Sequence, residues 1–253
     1  MYRLIDTHAH LEEMGNLEGV ITKAREAGVV AIITVGSDVE TNRKTLEIAA
    51  RYKDFVYPAL GWHPWFIEKS KIDANLEFIE ANMDKAIAVG EVGLDYHKRV
   101  RAKADKDLQN TVLRQLLKIA WDSEKPALIH SRYAWRDALN AVEEAKLEKA
   151  VFHWYTGTSS VLRDIIEYGY YISVTPAVEY HEEHRRAVKE VPLKRMLLET
   201  DAPVTYARGR DCEFESSPAD DNRSLKGAAT LKNISETEIA EATTDNAIRL
   251  FGI

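Results

Sequence analysis

The sequence predicts an α/β fold, a single-domain (β/α)8 TIM barrel that spans residues 1–253. Eight short apolar runs alternate with amphipathic segments, and the ends of these runs recur every 23 to 39 residues. The length of 253 residues also suits such a barrel, which typically needs about 250. A doubly wound open sheet is the alternative, but no glycine-rich fingerprint follows the first apolar run. The barrel is therefore the favoured fold.

The eight apolar runs are the predicted strands. Each is four to seven residues long, almost continuously apolar, and bounded by glycine, proline or polar residues. This pattern is typical of strands that are buried on both faces of a parallel sheet. The predicted strands are Arg3–Thr7, Val29–Val35, Phe55–Leu60, Ala86–Val92, Ala127–His130, Ala150–Trp154, Tyr170–Thr175 and Arg195–Thr200.

Segments with helical periodicity lie between these strands. The clearest runs from Leu108 to Ile119, where apolar residues recur at spacings of four, four and three before Lys125-Pro126 provides a stop. Ser235 and Glu238 form the pattern of a capping box that opens the last helix. The polar stretch 206–224 predicts a long loop after the eighth strand. Other predicted helices cover Asn75–Asn82, Trp135–Glu144, Val161–Tyr168 and Glu182–Glu190.

Composition excludes several classes of protein. With 45% apolar and 30% charged residues the chain is neither disordered nor fibrous. A net charge of −7 (34 − 41) argues against a protein that coats nucleic acid through a large basic surface. The single cysteine, Cys212, excludes an intrachain disulfide and fits a reducing cytosol. The longest apolar stretch, Val29–Val35, is too short to span a bilayer, so we expect a cytoplasmic protein with no membrane partner.

Polar residues that can bind metal follow the predicted strands. Because the loops at the carboxyl ends of the strands build the site in barrel enzymes, these residues are expected to converge. His8 and His10 also point to one face of an extended strand. Any one of these histidines alone could be a hydrogen-bonded core residue, and His181 and His184 lie in a helical segment expected to be exposed. The convergent residues are His8, His10, Glu91, His130, His153 and Asp201.

Glu91 and Asp201 strengthen the interpretation as a metal site. Each ends a run that a barrel buries, and an uncompensated buried carboxylate is costly. Four histidines and two carboxylates are suitable ligands for Zn, Mn or Mg ions. Six ligands at about three per catalytic ion predict two divalent metal ions with one carboxylate between them. Such a pair activates water for hydrolysis near neutral pH.

In their order along the chain these motifs resemble those of the TatD-type metal-dependent deoxyribonucleases, a branch of the amidohydrolase-like barrel hydrolases. The resemblance covers essentially the whole chain, up to the closing segment 243–251. Two departures concern substrate preference: Trp154 replaces the usual cysteine, and residues 213–218 replace an Asn-x-Pro motif. The matching motifs are His8-x-His10, Gly90–Asp95, Ile129–Arg132, His153–Gly157 and Glu199–Pro203.

The resemblance implies a function and a set of roles. One ion would be held by His8, His10, Glu91 and Asp201, and the other by Glu91, His130 and His153, with Glu91 as the bridge. It also implies hydrolysis of DNA phosphodiester bonds, from the 3′ ends of single strands. Asp201 is the candidate general base, so Asp201 and Glu91 are the predicted catalytic residues.

Other residues have predicted roles toward the substrate. Arg132 is predicted to grip a phosphate, with a salt bridge at the barrel rim as the alternative, and His63 to donate to a substrate oxygen, with a structural hydrogen bond as the alternative. Asp95 is expected to orient a metal ligand, and Glu199 to lie behind the site or at its rim. Aromatic residues able to stack an unpaired base, or simply to pack the loops, are Trp62, Trp65, Trp154 and Tyr155.

Two other functions remain open from the sequence. A barrel hydrolase acting on a carbonyl group, in an ester, amide, lactone or aminoacyl-RNA ester, needs the same metals. Such enzymes often carry a lysine at the end of the fourth strand, where this chain has Glu91, which favours phosphoester chemistry. A metal-binding scaffold without turnover is disfavoured because all six ligands are present.

Overall fold

A computed structural model describes residues 2–253 and contains the predicted barrel. Eight parallel strands follow one another around a single sheet in the order of the sequence. Hydrogen bonds from Asp201 N–H to the His8 carbonyl (2.9 Å) and from His10 N–H to the Ala202 carbonyl (2.7 Å) join the last strand to the first. The strands are β1 (Leu4–Ala9), β2 (Val29–Val35), β3 (Val56–Trp62), β4 (Ala88–Asp95), β5 (Ala127–Arg132), β6 (Ala150–Phe152), β7 (Tyr171–Val174) and β8 (Met196–Leu198).

Helices surround this barrel. The predicted helices 135–144 and 182–190 have the bounds expected, and Ser235 caps the last helix by accepting a hydrogen bond from Glu238 N–H (3.1 Å). None of the helices within residues 2–253 combines the length and the apolar character that a membrane span requires. The helices are α1 (Leu17–Glu26), α2 (Val39–Arg51), α3 (Ile72–Glu80), α4 (Lys98–Arg101), α5 (Lys106–Asp122), α6 (Trp135–Glu144), α7 (Ser159–Glu167), α8 (Glu182–Glu190), α9 (Asp221–Lys232) and α10 (Glu236–Phe251).

Apolar side chains fill the barrel and separate its two ends. Alternate strand residues such as Ile33 and Leu128 form an inner cluster, which Leu250 and Phe251 of α10 contact. The hydroxyl of Thr244 in α10 donates to the Arg3 carbonyl (2.7 Å), so α10 lies against the amino end of β1. Because side chains occupy the interior and α10 lies at the amino end, the carboxyl end of the strands is where an active site is expected in this fold.

The prediction of one long loop over residues 206–224 is wrong in part. Thr205–Tyr206 (β9) and Phe214–Glu215 (β10) form a short antiparallel pair, and α9 begins at Asp221. The first turn of α9 buries polar residues, and the Ser224 hydroxyl donates to the Glu199 carbonyl (2.9 Å). These buried polar side chains gave this part of the helix the composition of a loop.

Asn42 of α2 fixes the backbone that leads to the carboxyl end of β3. Its buried amide donates to the Gly61 carbonyl (2.8 Å) and accepts from Gly61 N–H (3.0 Å). Gly61 lies two residues before His63, so this pair of hydrogen bonds positions a predicted site residue. A Cβ on Gly61 would meet the Gly90–Glu91 backbone at about 2.4 Å, which shows how tightly β3 and β4 pack there.

We expect Asn42→Ala to lower the free energy of unfolding by about 2–4 kcal/mol, since it leaves two buried backbone groups of Gly61 without partners. Urea denaturation followed by circular dichroism measures this change. Asn82→Ala, which removes a partly exposed amide at the end of α3, is the matched control. Equal small losses in both variants would show that Gly61 finds other partners.

Candidate metal centre

The carboxyl ends of six strands bring the predicted site residues together. Glu91 of β4 lies at the centre with its side chain almost fully buried. The other five predicted metal ligands and the predicted substrate residue His63 lie around Glu91. These residues come from β1 and the residue that follows it (His8, His10), the turn after β3 (His63), β4 (Glu91), β5 (His130) and the segments after β6 (His153) and β8 (Asp201).

The two carboxylate oxygens of Glu91 face two different sets of histidines. Oε2 lies 3.3 Å from Nε2 of both His8 and His10. Oε1 lies 2.8 Å from Nδ1 of His130 and 2.8 Å from Nε2 of His153. The two sets meet where the rings of His8 and His153 stack at 4.2 Å. One carboxylate is therefore shared between two adjacent groups of nitrogen donors.

Asp201 completes the first of these sets. Its Oδ1 atom lies 3.5 Å from Nε2 of His8 and 3.6 Å from Nε2 of His10. Its side chain is 10% exposed, against 3% for Glu91, so it lies nearer to the open side of the cluster.

The chemistry of these donors fits divalent cations. Within residues 2–253, both ring nitrogens of His8 are buried without a hydrogen-bond partner. Donor atoms of His8, His10 and Glu91 all lie within 4.8 Å of one another. Imidazole nitrogens and carboxylate oxygens without thiolates suit zinc, manganese and similar ions. A bound cation would satisfy buried nitrogens that are otherwise left unpaired.

Three of the histidines have a second carboxylate on the side away from Glu91. Such a carboxylate holds the proton of the far nitrogen, so that the near nitrogen is free to bind a cation. Asp95 and Glu199 were expected in this role or near it. Glu12 was missed, although its position two residues after His10 is visible in the sequence. The pairs are His10 Nδ1 with Glu12 (3.4 Å), His130 Nε2 with Asp95 (3.5 Å) and His153 Nδ1 with Glu199 (3.6 Å).

Burial and the surrounding charges set the protonation of the cluster. Burial acts to raise the pKa of Glu91, but the neighbouring imidazoles outweigh it and hold that pKa well below its usual range. Burial acts to lower the pKa of His153, yet Glu91 and Glu199 hold it well above its usual value. For Asp201, burial dominates and raises the pKa despite the adjacent histidines. Protons and cations compete for the same nitrogens, so cation binding is expected to release protons.

His63 differs from the other histidines. Its Nδ1 accepts a hydrogen bond from Trp65 N–H (3.2 Å), and burial lowers its pKa to about 4 despite the nearby Glu91. The ring is therefore neutral at pH 7, and its proton lies on Nε2, 3.4 Å from Oε1 of Glu91. A protonated Nε2 makes His63 a hydrogen-bond donor at the edge of the cluster, although its position alone would also allow it to bind a cation.

Arg132 forms the rim salt bridge that was the alternative to a phosphate contact. Its Nε lies 3.0 Å from Oδ1 of Asp95, and its Nη2 lies 2.8 Å from Oδ2. The indole N–H of Trp65 donates to the same Oδ2 (2.6 Å). Burial acts to raise the pKa of Asp95, but hydrogen bonds from His130, Arg132 and Trp65 keep it far below its usual value. Nη1 of Arg132 makes no hydrogen bond within residues 2–253, and the side chain is 38% exposed.

The aromatic residues proposed to stack a base occupy different environments. Trp62 and Tyr155 are buried in the core, so a stacking role for them is wrong. Their polar atoms bond inward, with the Tyr155 hydroxyl donating to the Thr158 carbonyl (2.8 Å). Trp154 packs against Tyr206 at 5.3 Å between ring centres. Only Trp65 among the four has a largely exposed ring.

His184 is also buried, contrary to the expectation from its helix. Its Nε2 accepts from Thr175 N–H (3.1 Å), and its Nδ1 lies 2.9 Å from the Tyr155 carbonyl. Burial lowers its pKa to about 4, so the neutral ring joins the backbones after β6 and β7.

A parallel barrel whose strands carry histidines and carboxylates to one buried point defines a class of protein, the metal-dependent barrel hydrolases. The model of the TatD related DNase family matches residues 5–252. The chain belongs to this family, which confirms the resemblance noted in the sequence.

Relatives and solved structures agree with this placement. Deoxyribonuclease TATDN3 of Homo sapiens is 33% identical, over 98% of this chain and 94% of its own. The uncharacterized metal-dependent hydrolase YabD of Bacillus subtilis is 35% identical, over 99% of both. The crystal structure of YJJV, a TatD homolog from Escherichia coli k12, superposes with a TM-score of 0.90 at 29% identity, covering 99% of this chain and 98% of the other. The barrel fold is confirmed by the same structure.

We expect Glu199→Gln to weaken the affinity for Zn²⁺ by about 10- to 100-fold, because it removes the negative charge behind His153. Competition with a chromophoric chelator measures this affinity. Glu144→Gln, which breaks an ion pair with Arg114 on the outer helices, is the control. Unchanged affinity in Glu199→Gln would limit that residue to its hydrogen bond with Trp154 N–H (2.8 Å).

Proposed function

We propose that this protein is a deoxyribonuclease that hydrolyses phosphodiester bonds from the 3′ ends of single-stranded DNA and uses two divalent metal ions. The observation that carries the proposal is Glu91, one buried carboxylate whose two oxygens face two separate sets of histidines. Family membership and the relatives named deoxyribonuclease, in Homo sapiens and in Schizosaccharomyces pombe, support the choice of DNA.

The two oxygens of Glu91 face two sets of ligands, and we assign one ion to each set. One ion would be held by His8, His10, Glu91 and Asp201, and the other by Glu91, His130 and His153. When bound, such a pair of ions stabilises negative charge on a phosphate and makes water acidic enough to react near neutral pH.

Asp201 is the residue that we assign as general base. Both oxygens of Glu91 are close to imidazoles, whereas Oδ2 of Asp201 makes no hydrogen bond within residues 2–253. Its side chain also lies nearer to solvent than that of Glu91. A carboxylate with one free oxygen at the open side of the cluster can accept a proton from the attacking water.

Two groups at the edge of the cluster are suited to bind the phosphate. The Nε2–H of neutral His63 can donate to a non-bridging oxygen once a substrate displaces its contact with Glu91. The free Nη1 of Arg132 can donate to another, while Asp95 holds the opposite edge of the guanidinium. The ion pair with Asp95 thus preorients Arg132 for a phosphate.

The overall charge supports a substrate held at few points. A net charge of −7 argues against binding of a long duplex through a broad basic surface. Binding that depends on a few phosphates next to the cluster is suited to the end of a strand.

Glu91→Gln is expected to lower turnover of an oligonucleotide by about 10³-fold or more, because both ions lose a charged ligand and with it several kcal/mol of transition-state stabilisation. The assay uses 3′- and 5′-labelled single strands, together with elemental analysis of the purified protein. Wild type should hold two ions per chain and shorten the strand from its 3′ end.

Glu144→Gln is the matched control and should retain normal turnover and metal content. Near-normal hydrolysis by Glu91→Gln would contradict the two-metal assignment. Intact oligonucleotides together with hydrolysis of a carboxylic ester by wild type would identify the protein as a carbonyl hydrolase instead.

Arg132→Lys is expected to lower kcat/KM for an oligonucleotide by about 10-fold, since lysine keeps the charge but loses the planar fork. Metal content should not change, because Arg132 is not a ligand. Arg136→Lys, in an ion pair with Asp164 between outer helices, is the control. A parallel loss of metal and activity in Arg132→Lys would show that the residue acts through Asp95 and His130.

A further inference from the structure

We propose that an exposed strip beside the metal cluster binds the unpaired bases and phosphates of a single strand as it enters the site, an inference that rests on the proposed function. The strip consists of the aromatic side chains of Trp65, His97 and Tyr133 and the cationic side chains of Lys98, Arg99, Arg101 and Lys103. It lies on the turns after β3, β4 and β5, the same strands that contribute His63, Glu91 and His130.

Trp65 is the inner end of the strip. Its ring is 47% exposed and lies 5.1 Å from the ring of His63. The indole N–H is held by Asp95 (2.6 Å), and the guanidinium of Arg132 lies 5.4 Å from the centre of the ring. A large flat ring held rigidly next to the cluster can stack a base without loss of side-chain freedom.

Tyr133 is the outer aromatic residue. At 73% it is the most exposed of the large apolar and aromatic side chains within residues 2–253. It directly follows Arg132, and its φ of 60° lies in the left-handed region, which few residues other than glycine adopt. Its ring stacks on that of His97, with 6.5 Å between centres and 26° between planes. The backbone thus presents this ring to solvent beside the site.

The distribution of exposed rings favours a ligand at this position. Trp65 and Tyr133 lie on turns at the carboxyl end of the barrel, whereas Trp121 and Tyr168 lie on or at the end of outer helices. Base-aromatic stacking is tolerant of sequence, because every base has a flat face. A base in a duplex is already stacked and paired, so such rings select unpaired nucleotides.

Cationic residues continue the strip beyond His97. The sequence His97-Lys-Arg-Val-Arg-Ala-Lys103 carries four exposed cations, and none of them forms an ion pair within residues 2–253. In a chain with a net charge of −7, this local excess of positive charge is opposite to the overall balance. Aromatic rings next to unpaired cations match the alternation of base and phosphate along a single strand. The occupant that fits this chemistry is therefore a single-stranded nucleic acid.

The test is equilibrium binding by full-length protein of a labelled phosphorothioate single strand, which resists hydrolysis. We expect Tyr133→Ala to weaken binding by about 10-fold, as base stacking on an aromatic ring is worth about 1–3 kcal/mol. Tyr133→Phe keeps the aromatic ring, so its affinity for the strand should be within about 2-fold of the wild-type affinity. A blunt duplex of the same sequence should bind more weakly than the single strand and should not respond to Tyr133→Ala.

The cationic half of the strip has its own readout. Replacing Arg99 and Arg101 together by alanine should reduce the slope of log K against log salt by roughly 1.4, at roughly 0.7 per single-strand phosphate contact. Trp121→Ala removes an exposed tryptophan, 58% accessible, from α5 and should leave binding unchanged.

The outcomes separate this proposal from the proposed function. Three results would each overturn the proposed role of the strip. They are binding of wild-type strength by Tyr133→Ala, equal losses of affinity in Tyr133→Ala and Tyr133→Phe, and an unchanged salt slope in the arginine variant. Hydrolysis of an unmodified 3′-labelled strand by wild type is measured in parallel. Normal hydrolysis with unaffected variants overturns the strip alone, whereas ring-dependent binding without hydrolysis supports the strip and overturns the proposed function.

Discussion

The buried carboxylate of Glu91 is the group on which the rest of the site depends. A charge held away from water is costly unless opposite charge or strong hydrogen-bond donors surround it. Here the compensating groups come from the ends of three other strands, with His8, His10, His130 and His153 within 3.3 Å of one of its oxygens. The strands must end at matching heights for these contacts to form. The register of the barrel strands and the electrostatics of the site are therefore constrained together.

Asp95 extends this constraint from the buried cluster to the surface. It faces His130 on one side and accepts hydrogen bonds from Arg132 and from the indole of Trp65 on the other. The carboxylate that contacts His130 therefore also orients the arginine and the ring at the rim. Because these groups share one carboxylate, the geometry at the metal cluster and the surface offered to a substrate are coupled.

The sequence was most informative where a polar residue ends a buried apolar run. His8, Glu91 and His153 stand out in this way, and the period of the strands predicts that they converge. The sequence did not reveal the burial of residues whose surroundings come from distant parts of the chain. Tyr155 and His184 are buried together, because the His184 ring of α8 bonds to the Tyr155 carbonyl after β6 and to Thr175 N–H after β7. In a single sequence, the residues next to them along the chain do not distinguish these buried positions from exposed ones.

The helix α9 was missed for a related reason. Periodicity predicts a helix when its buried face is apolar, but the first turn of α9 buries Asp221 and Ser224. Ser224 donates to the Glu199 carbonyl, so this turn packs against the end of β8 through a polar contact. Such a contact depends on where the strand before it ends, which only the folded chain determines.

Apart from Asp201, whose pKa burial raises despite the adjacent histidines, the buried acids around the cluster differ in pKa according to the groups that face them. Histidines hold Glu91 and Glu199 ionised, with pKa values below the usual range despite burial. Asp6 faces no imidazole, and burial raises its pKa to about 8 even though it accepts hydrogen bonds from the Thr200 hydroxyl (2.6 Å) and backbone N–H (3.0 Å). Burial likewise raises the pKa of Asp221 well above its usual value. Negative charge is therefore confined to positions where imidazoles or cations can compensate it. Asp6 instead joins β1 to the end of β8 by hydrogen bonding to Thr200, which closes the barrel without adding an uncompensated buried charge.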